Sequence, residues 1–245
     1  MGYHESLTEG RNAVLEAFRS GKTVDRLFVL DGCQDGPVKT ILREAKKQDT
    51  MVQYVKKERL DQLSETKNHQ GVIAYCAACE YAEVSDILEN AKKKGEAPFI
   101  VLLDGIEDPH NLGAIIRTAN QACAHGVIIP KRRAVGLTAT VARTSAGAVN
   151  YTPVAKVTNL VTVMEDLKKE GMWFVCADMD GEEMYSLNLK GPIGLVIGNE
   201  GEGVSRLVKE HCDMVASIPM KGDIDSLNAS VAMGVLAYEI VRQRR

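Results

Sequence analysis

From Asp25 to Cys76, short β-branched runs alternate with stretches of helical period: "DRLFVLDG", "VKTILREAKKQD", "MVQYVK", "ERLDQLSE" and "GVIAYC". Such alternation predicts strands bounded by turns and helices with one apolar stripe. The opening "GRNAVLEAFRSGK" sets Val14, Leu15 and Phe18 on one helical stripe, so a small α/β domain is expected over residues 1–76. The next stretch, "EYAEVSDILENAKKKGEAP", is amphipathic only through Val84, Ile87, Leu88 and Ala91, and it stops at Gly95 and Pro98. A connecting helix reads this way, and residues 77–97 are expected to join two domains.

From Phe99 onward the pattern changes. The runs "FIVLLD", "GVIIP", "MWFVCADM", "IGLVIG" and "MVASIP" are apolar at almost every position rather than every second one. Strands buried on both faces have this signature, so residues 98–245 are predicted to form a parallel sheet with helices on both faces. The last segment, "IPMKGDIDSLNASVAMGVLAYEIV", runs from a polar loop into a helix that is apolar on nearly every side.

Composition changes this picture little. The 245 residues are 45% hydrophobic and 26% charged, enough for two such domains. No apolar run of about 18 residues occurs, and "MGYHESLTEGRN" lacks the basic and apolar regions of a signal peptide, so a cytoplasmic protein without a membrane partner is expected. Six unevenly spaced cysteines give no disulfide framework. The pair Cys76 and Cys79 has the spacing of half a zinc site but lacks a second pair, and small residues at a strand end explain it better than a metal. A net charge of -3 and a pI of about 6.0 lack the basic footprint of many nucleic-acid binders, and this neither supports nor excludes RNA.

In open α/β sheets ligands bind beyond the carboxyl ends of strands, which directs attention to the loops after Asp104, Gly198 and Pro219. In the first, "GIEDPHNLGAIIRTANQA", Asp108-Pro109 turns the chain and Asn111 could cap the helix that carries Arg117. Read alone, this loop fits Asn111 as a cap and Arg117 as a solvated charge equally well. In the second, "NEGEGVSRLV", Gly198, Gly201 and Gly203 allow close backbone approach and positive φ. It matches neither dinucleotide nor P-loop patterns, and Glu200 and Glu202 would repel phosphate, so a neutral or cationic ligand suits it. In the third, Asp225 or Ser226 is expected to cap the last helix, with Asn228 beside them.

Together the three loops resemble the SpoU (TrmH) family of RNA ribose 2′-O-methyltransferases, of the SPOUT class. Its first motif carries an Asn and an Arg, matched by "DPHNLGAIIRTA"; its second, with Gly, Asn and Glu, is matched by "VIGNEGEGVSR"; its third, Ser-Leu-Asn, by "IPMKGDIDSLNASVAMGVLAYE". The segment "HGVIIPKRRAVGLTATVARTSAGA" also looks like the subgroup that modifies large-subunit rRNA, and residues 1–76 look like its RNA substrate-binding domain.

The resemblance implies that residues 98–245 form a deep trefoil knot with the C-terminal helix threaded through a loop, which periodicity alone does not predict. It implies S-adenosylmethionine as cofactor, contacted at Gly198, Ile218 and Leu227, and no metal. The catalytic set it implies is Asn111, Arg117, Glu200, Ser226 and Asn228. Because a guanidinium is effectively always protonated, Arg117 is expected to anchor phosphate and stabilise developing alkoxide charge, with Glu200 orienting it. Asn111, Ser226 and Asn228 are expected to fix the ribose and the methionine end. The resemblance further implies a homodimer formed through the C-terminal domain, with Tyr238 and Ile240 on the contacting face. The expected substrate is a guanosine of bacterial 23S rRNA. A tRNA ribose methyltransferase and a non-catalytic ribosome-assembly factor of the same fold are the alternatives.

Overall fold

The computed structural model describes residues 6–224 and 226–245. They form two compact units: one runs through Glu80 with Gly136–Ala139 added, and the other comprises Tyr81–Val135 and Thr140–Arg245.

The first unit contains strands β1 (Ser6–Glu9), β2 (Val24–Leu30), β3 (Met51–Val55) and β4 (Val72–Cys76) and helices α1 (Arg11–Arg19), α2 (Gly36–Lys47) and α3 (Lys57–Leu63). The sheet order is β1-β4-β2-β3, with β2 and β3 parallel and the other pairs antiparallel. Alternation along β2 divides its side chains: Leu27 and Val29 pack with Val14, Phe18 and Ile41 from α1 and α2, and Phe28 packs with Leu60 of α3 and Ile73. Strand β1, "SLTE", is too short to announce itself by pattern and is fixed by pairing with β4. Just after β1's last residue is placed, its carboxylate is put to use: Glu9 accepts from the Ser64 hydroxyl, from Glu65 N at 2.7 Å and from Thr66 Oγ1 at 2.8 Å. Cys76 ends β4 and is buried, and all six cysteines are free thiols. Among the described residues no group of three metal-ligating side chains converges.

The second unit adds α4 (Val84–Lys94), β5 (Phe99–Asp104), α5 (Pro109–Gln121), β6 (Gly126–Pro130), α6 (Ala139–Thr144), β7 (Val154–Val157), α7 (Leu160–Lys169), β8 (Trp173–Glu183), β9 (Ile193–Gly198), α8 (Arg206–Glu210), β10 (Met214–Ser217) and α9 (Ala229–Gln243). Its six strands are all parallel, in the order β10-β8-β9-β5-β6-β7. Every residue of β9 is buried, as the continuous apolar run requires of a sheet covered on both faces. On one face Ile100, Leu102, Ile128 and Val196 pack against Ile87 of α4, Met164 and Leu167 of α7 and Val208 of α8. The alternate residues Val101 and Leu103 point to the opposite face, where α5 and α9 pack on each other and α9 lies along β8 and β9. Helix α4 therefore belongs to this unit's core. Ile87 is fully buried, which contributes about 1.5–3 kcal/mol, and it fills the space over Gly126, where a Cβ would meet its Cγ1 at 2.5 Å. Nearby, His125 accepts the Phe99 N–H on Nδ1 at 3.0 Å, which leaves the ring proton on Nε2, 3.1 Å from Glu96 Oε2.

The chain leaves β5 toward β6 and β7, then crosses to β8 and returns to β9 beside β5. Between β5 and β9 the order reverses, so the loops at their carboxyl ends diverge and leave a crevice. Among the described residues no helix is long and apolar enough to cross a membrane.

Candidate active site

Asp108 stands at the N-cap of α5, its carboxylate accepting from His110 N and Asn111 N at 3.2 Å, and Pro109 opens the helix. Capping thus falls to Asp108 and not to Asn111, because Asp108 holds the extended backbone that precedes the first turn. Asn111 is freed for another purpose. Buried within the first turn, its Nδ2 donates to Glu200 Oε1 at 2.8 Å and its Oδ1 accepts from Asn228 Nδ2 at 3.0 Å. Asn228 Nδ2 also donates to the same Glu200 oxygen.

Asn228 is itself the cap of α9: its Oδ1 accepts from Ser230 N at 2.9 Å, Ser230 Oγ at 2.6 Å and Val231 N at 3.4 Å. The expectation of a cap at Ser226 is corrected by this geometry, and Asp225 lies outside the described residues. One amide serves two ends, its oxygen the helix and its nitrogen the site. Two amides and one carboxylate, drawn from three distant loops, are locked in one arrangement.

The Glu200 loop is rigid for local reasons. Asn199 Oδ1 accepts from Gly201 N at 2.9 Å and Glu202 N at 2.7 Å, and Gly203 turns the chain at φ 68°. Gly198 passes so near this turn that a Cβ would lie 1.9 Å from Gly203 C. Gly201 shows neither positive φ nor close approach, contrary to expectation, since the Asn199 side chain shapes the turn there. At the loop's far end Ser205 N donates to Asp104 Oδ2 at 2.8 Å.

Two hollows flank this loop. A crevice of about 610 Å³ is lined by Asp104, Glu107, Asp108, Asn111, Arg133 and Glu200 among others. A cavity of about 510 Å³ gathers Gly198, Ile218 and Leu227 with Ala216, Met220 and Ser226. Its walls include Asp178, Glu183, Glu200 and Glu202 and, among the described residues, no Lys or Arg. Burial works upward on the Asp178 carboxyl, but the Lys209 ammonium at 2.8 Å and the Asp180 N–H outweigh it and hold it below the ordinary carboxylate range. A largely apolar hollow of this size, with carboxylates in its wall and, among the described residues, no Lys or Arg lining it, fits a small organic cation such as a sulfonium.

Arg117 is not brought to this cluster. It is exposed on α5, six residues beyond Asn111, about 9 Å along the axis and on another face, and it lines neither hollow. Within one chain Arg117 makes no hydrogen bond or ion pair with Glu200, whose Oε1 takes both amides. Sequence reasoning gave no role to Asp104, Asn199 or Arg133; the strand-terminal acid of "FIVLLD", the Asn of the second motif and the basic "KRR" after β6 are the available signals.

A family model described as the SpoU rRNA methylase family matches residues 98–238. The chain belongs to that family. A second model, for RNA 2′-O ribose methyltransferase substrate binding, matches residues 7–82. Among relatives of this SpoU chain, a Bacillus subtilis protein named for the TrmH family of tRNA/rRNA methyltransferases is 48% identical over 237 residues, covering 96% of this chain and 94% of its own. The crystal structure of the SpoU methyltransferase AviRb from Streptomyces viridochromogenes, in complex with the cofactor AdoMet, is similar at 27% identity and TM-score 0.62, covering 98% of this chain and 90% of that one. A TrmH/SpoU tRNA modifying enzyme of A. aeolicus is similar at 27% identity and TM-score 0.55, covering 64% of this chain and 84% of that one.

Proposed function

We propose that this SpoU-family chain is an S-adenosylmethionine-dependent RNA ribose 2′-O-methyltransferase that modifies a guanosine of bacterial large-subunit rRNA. The observation that carries the reading is the Asn111–Glu200–Asn228 cluster set against a cavity walled by carboxylates. Bound in that cavity, S-adenosylmethionine supplies a methyl group on a positively charged sulfur. Backbone and apolar contacts at Gly198, Ile218 and Leu227 hold it, and Ser226, at the cavity wall, steadies its methionine end. Asn111 and Asn228 fix the ribose at the crevice, with Glu200 holding both amides in place so that the 2′-oxygen is aligned for attack. Arg117, always protonated, grips RNA phosphate and stabilises the charge that develops on that oxygen as its proton passes to solvent water.

Arg117 is exposed and distant from Asn111 on the same helix, which supports a site completed in a dimer, one subunit finishing the other's RNA surface. On α9, Val231 and Tyr238 are 50% and 52% exposed at a spacing of seven, one stripe of a helix, and form the proposed contact. Ile240 is fully buried and drops out of that face. The same reading takes α9 to thread a trefoil knot and residues 1–76 to select the RNA. The likeness to an AdoMet-bound rRNA methyltransferase of Sinorhizobium meliloti, at 25% identity and TM-score 0.61, reaches 96% of the chain while that to the tRNA modifying enzyme reaches 64%, which favours rRNA.

The test is nucleoside mass mapping of rRNA and tRNA incubated with the protein and labelled cofactor. Label as 2′-O-methylguanosine in large-subunit rRNA is the expected result. Label on tRNA ribose would transfer the reading to tRNA, and label on a base, or none with either RNA, would overturn it in favour of another reaction or a non-catalytic assembly factor. Light scattering should report about twice the chain mass of 26.7 kDa.

A further inference from the structure

We infer that Arg133 is an RNA-positioning residue, taking a backbone phosphate of the target strand at the mouth of the polar crevice. The inference rests on the proposed function and adds a residue to it.

Arg133 lines the crevice together with Asn111 and Glu200, and no other Lys or Arg does so among the described residues. The rest of the charge there is negative: Asp104, Glu107, Asp108, Glu200 and Glu202. Three of these carboxylates have structural work, Asp104 on Ser205 N, Asp108 on the first turn of α5, and Glu200 on the two amides. A nucleotide entering such a crevice brings phosphates into a field that repels them. A guanidinium at the rim offsets that field and offers a two-pronged grip on phosphate oxygens. The cofactor carries no phosphate, so the phosphate in question is the RNA's.

The loop that presents Arg133 is held at both ends. Lys131 N donates to Val157 O at 2.8 Å, and Val135 N donates to Ile106 O at 3.0 Å, the latter in the loop between β5 and α5 that carries Asp108. Between these two ties Arg133 has φ 54°, the left-handed region that favours Gly or Asn. Backbone preference therefore argues against an arginine here, and its side chain is exposed rather than packed. An unfavoured conformation kept by a charged side chain over a candidate site is the pattern of a functional constraint.

That conformation supplies the discriminating variant. Arg133→Gly suits the backbone better, so the thermal midpoint should hold or rise and cofactor affinity by calorimetry should stay unchanged. Filter binding of unmodified large-subunit rRNA over a salt series should show affinity weakened about tenfold and a salt dependence reduced by about one released counterion. Arg133→Lys should restore the salt dependence and only part of the affinity. An Arg133→Gly chain that keeps parental affinity and salt slope overturns the assignment, as does one that loses RNA, cofactor and thermal midpoint together. Because the readout is RNA binding, it is distinct from failure of the parent chain to methylate ribose, which would count against the reaction and not against this contact.

Discussion

On one side of the Asn199–Gly203 loop the wall is made of side-chain amides held by a carboxylate; on the other it is mostly backbone, alanine and aliphatic carbon, with the carboxylates of Asp178, Glu183, Glu200 and Glu202 among them. The crevice takes its shape from hydrogen bonds between residues 89 and 117 positions apart, so it exists only once the sheet is assembled. The cavity takes its shape from close approach of main chain at Gly198 and from the small residues Ala216, Ala229 and Ala232. The contrast teaches that one loop divides two kinds of surface, one polar and fixed by hydrogen bonds, the other largely apolar; in the proposed function the first faces the ribose and the second the cofactor.

Breaking the divider should cost most. Gly198→Ala would force its methyl group to within 1.9 Å of Gly203 C, so the loop must move, with about 1–3 kcal/mol of overpacking. Calorimetry should find no cofactor binding and radiolabel assays no methyl transfer; full binding in a folded variant would show that the cavity does not depend on the loop. Arg117→Ala comes next. It should lower methyl transfer about 10²–10³-fold with cofactor affinity unchanged, whereas a solvated charge would change activity little. Arg117→Lys should recover only a small part, since the two-pronged geometry is lost.

On the apolar side, Leu227 is 37% exposed and lines the cavity. Truncation to Ala removes about 1 kcal/mol of apolar contact, so cofactor Kd should rise about fivefold while rRNA affinity stays level. A change confined to RNA binding would reverse the assignment of the two hollows. The smallest effect lies beneath both. Burial pushes the His125 pKa down from 6.5 despite the upward pull of the Glu96 contact. The unfolded chain then takes up a proton before the folded one does, so stability should fall as pH drops below about 6.5 and level off at the lower folded pKa, by at most about 1.4 kcal/mol per pH unit. His125→Gln should flatten that slope in denaturant titrations between pH 7 and 5, leaving the acid limb set by groups such as Glu9 in place.

The sequence by itself determined the parallel sheet, because continuous apolar runs have no other comfortable home, and most of the first unit's strands and helices, because local period is written residue by residue. The resemblance of its three motifs to those of the SpoU family also named Asn111, Glu200 and Asn228. Tertiary structure decided what those residues do. Asp108 and Asn228 won the caps over Asn111 and Ser226 because a cap depends on which residue holds extended backbone at the helix entry, a feature set by how the loop is anchored. Strands β1 and β7, four residues each, exist through their partners, β4 and β6, and carry too few positions for a pattern. The burial of Ile240 and the exposure of Tyr238 could not be told apart on a helix apolar all round. The meeting of Asn111 with Glu200, and their sharing of one crevice with Arg133, follow from the reversal of strand order between β5 and β9, since periodicity encodes which face of an element is buried and says nothing of which strand lies beside which.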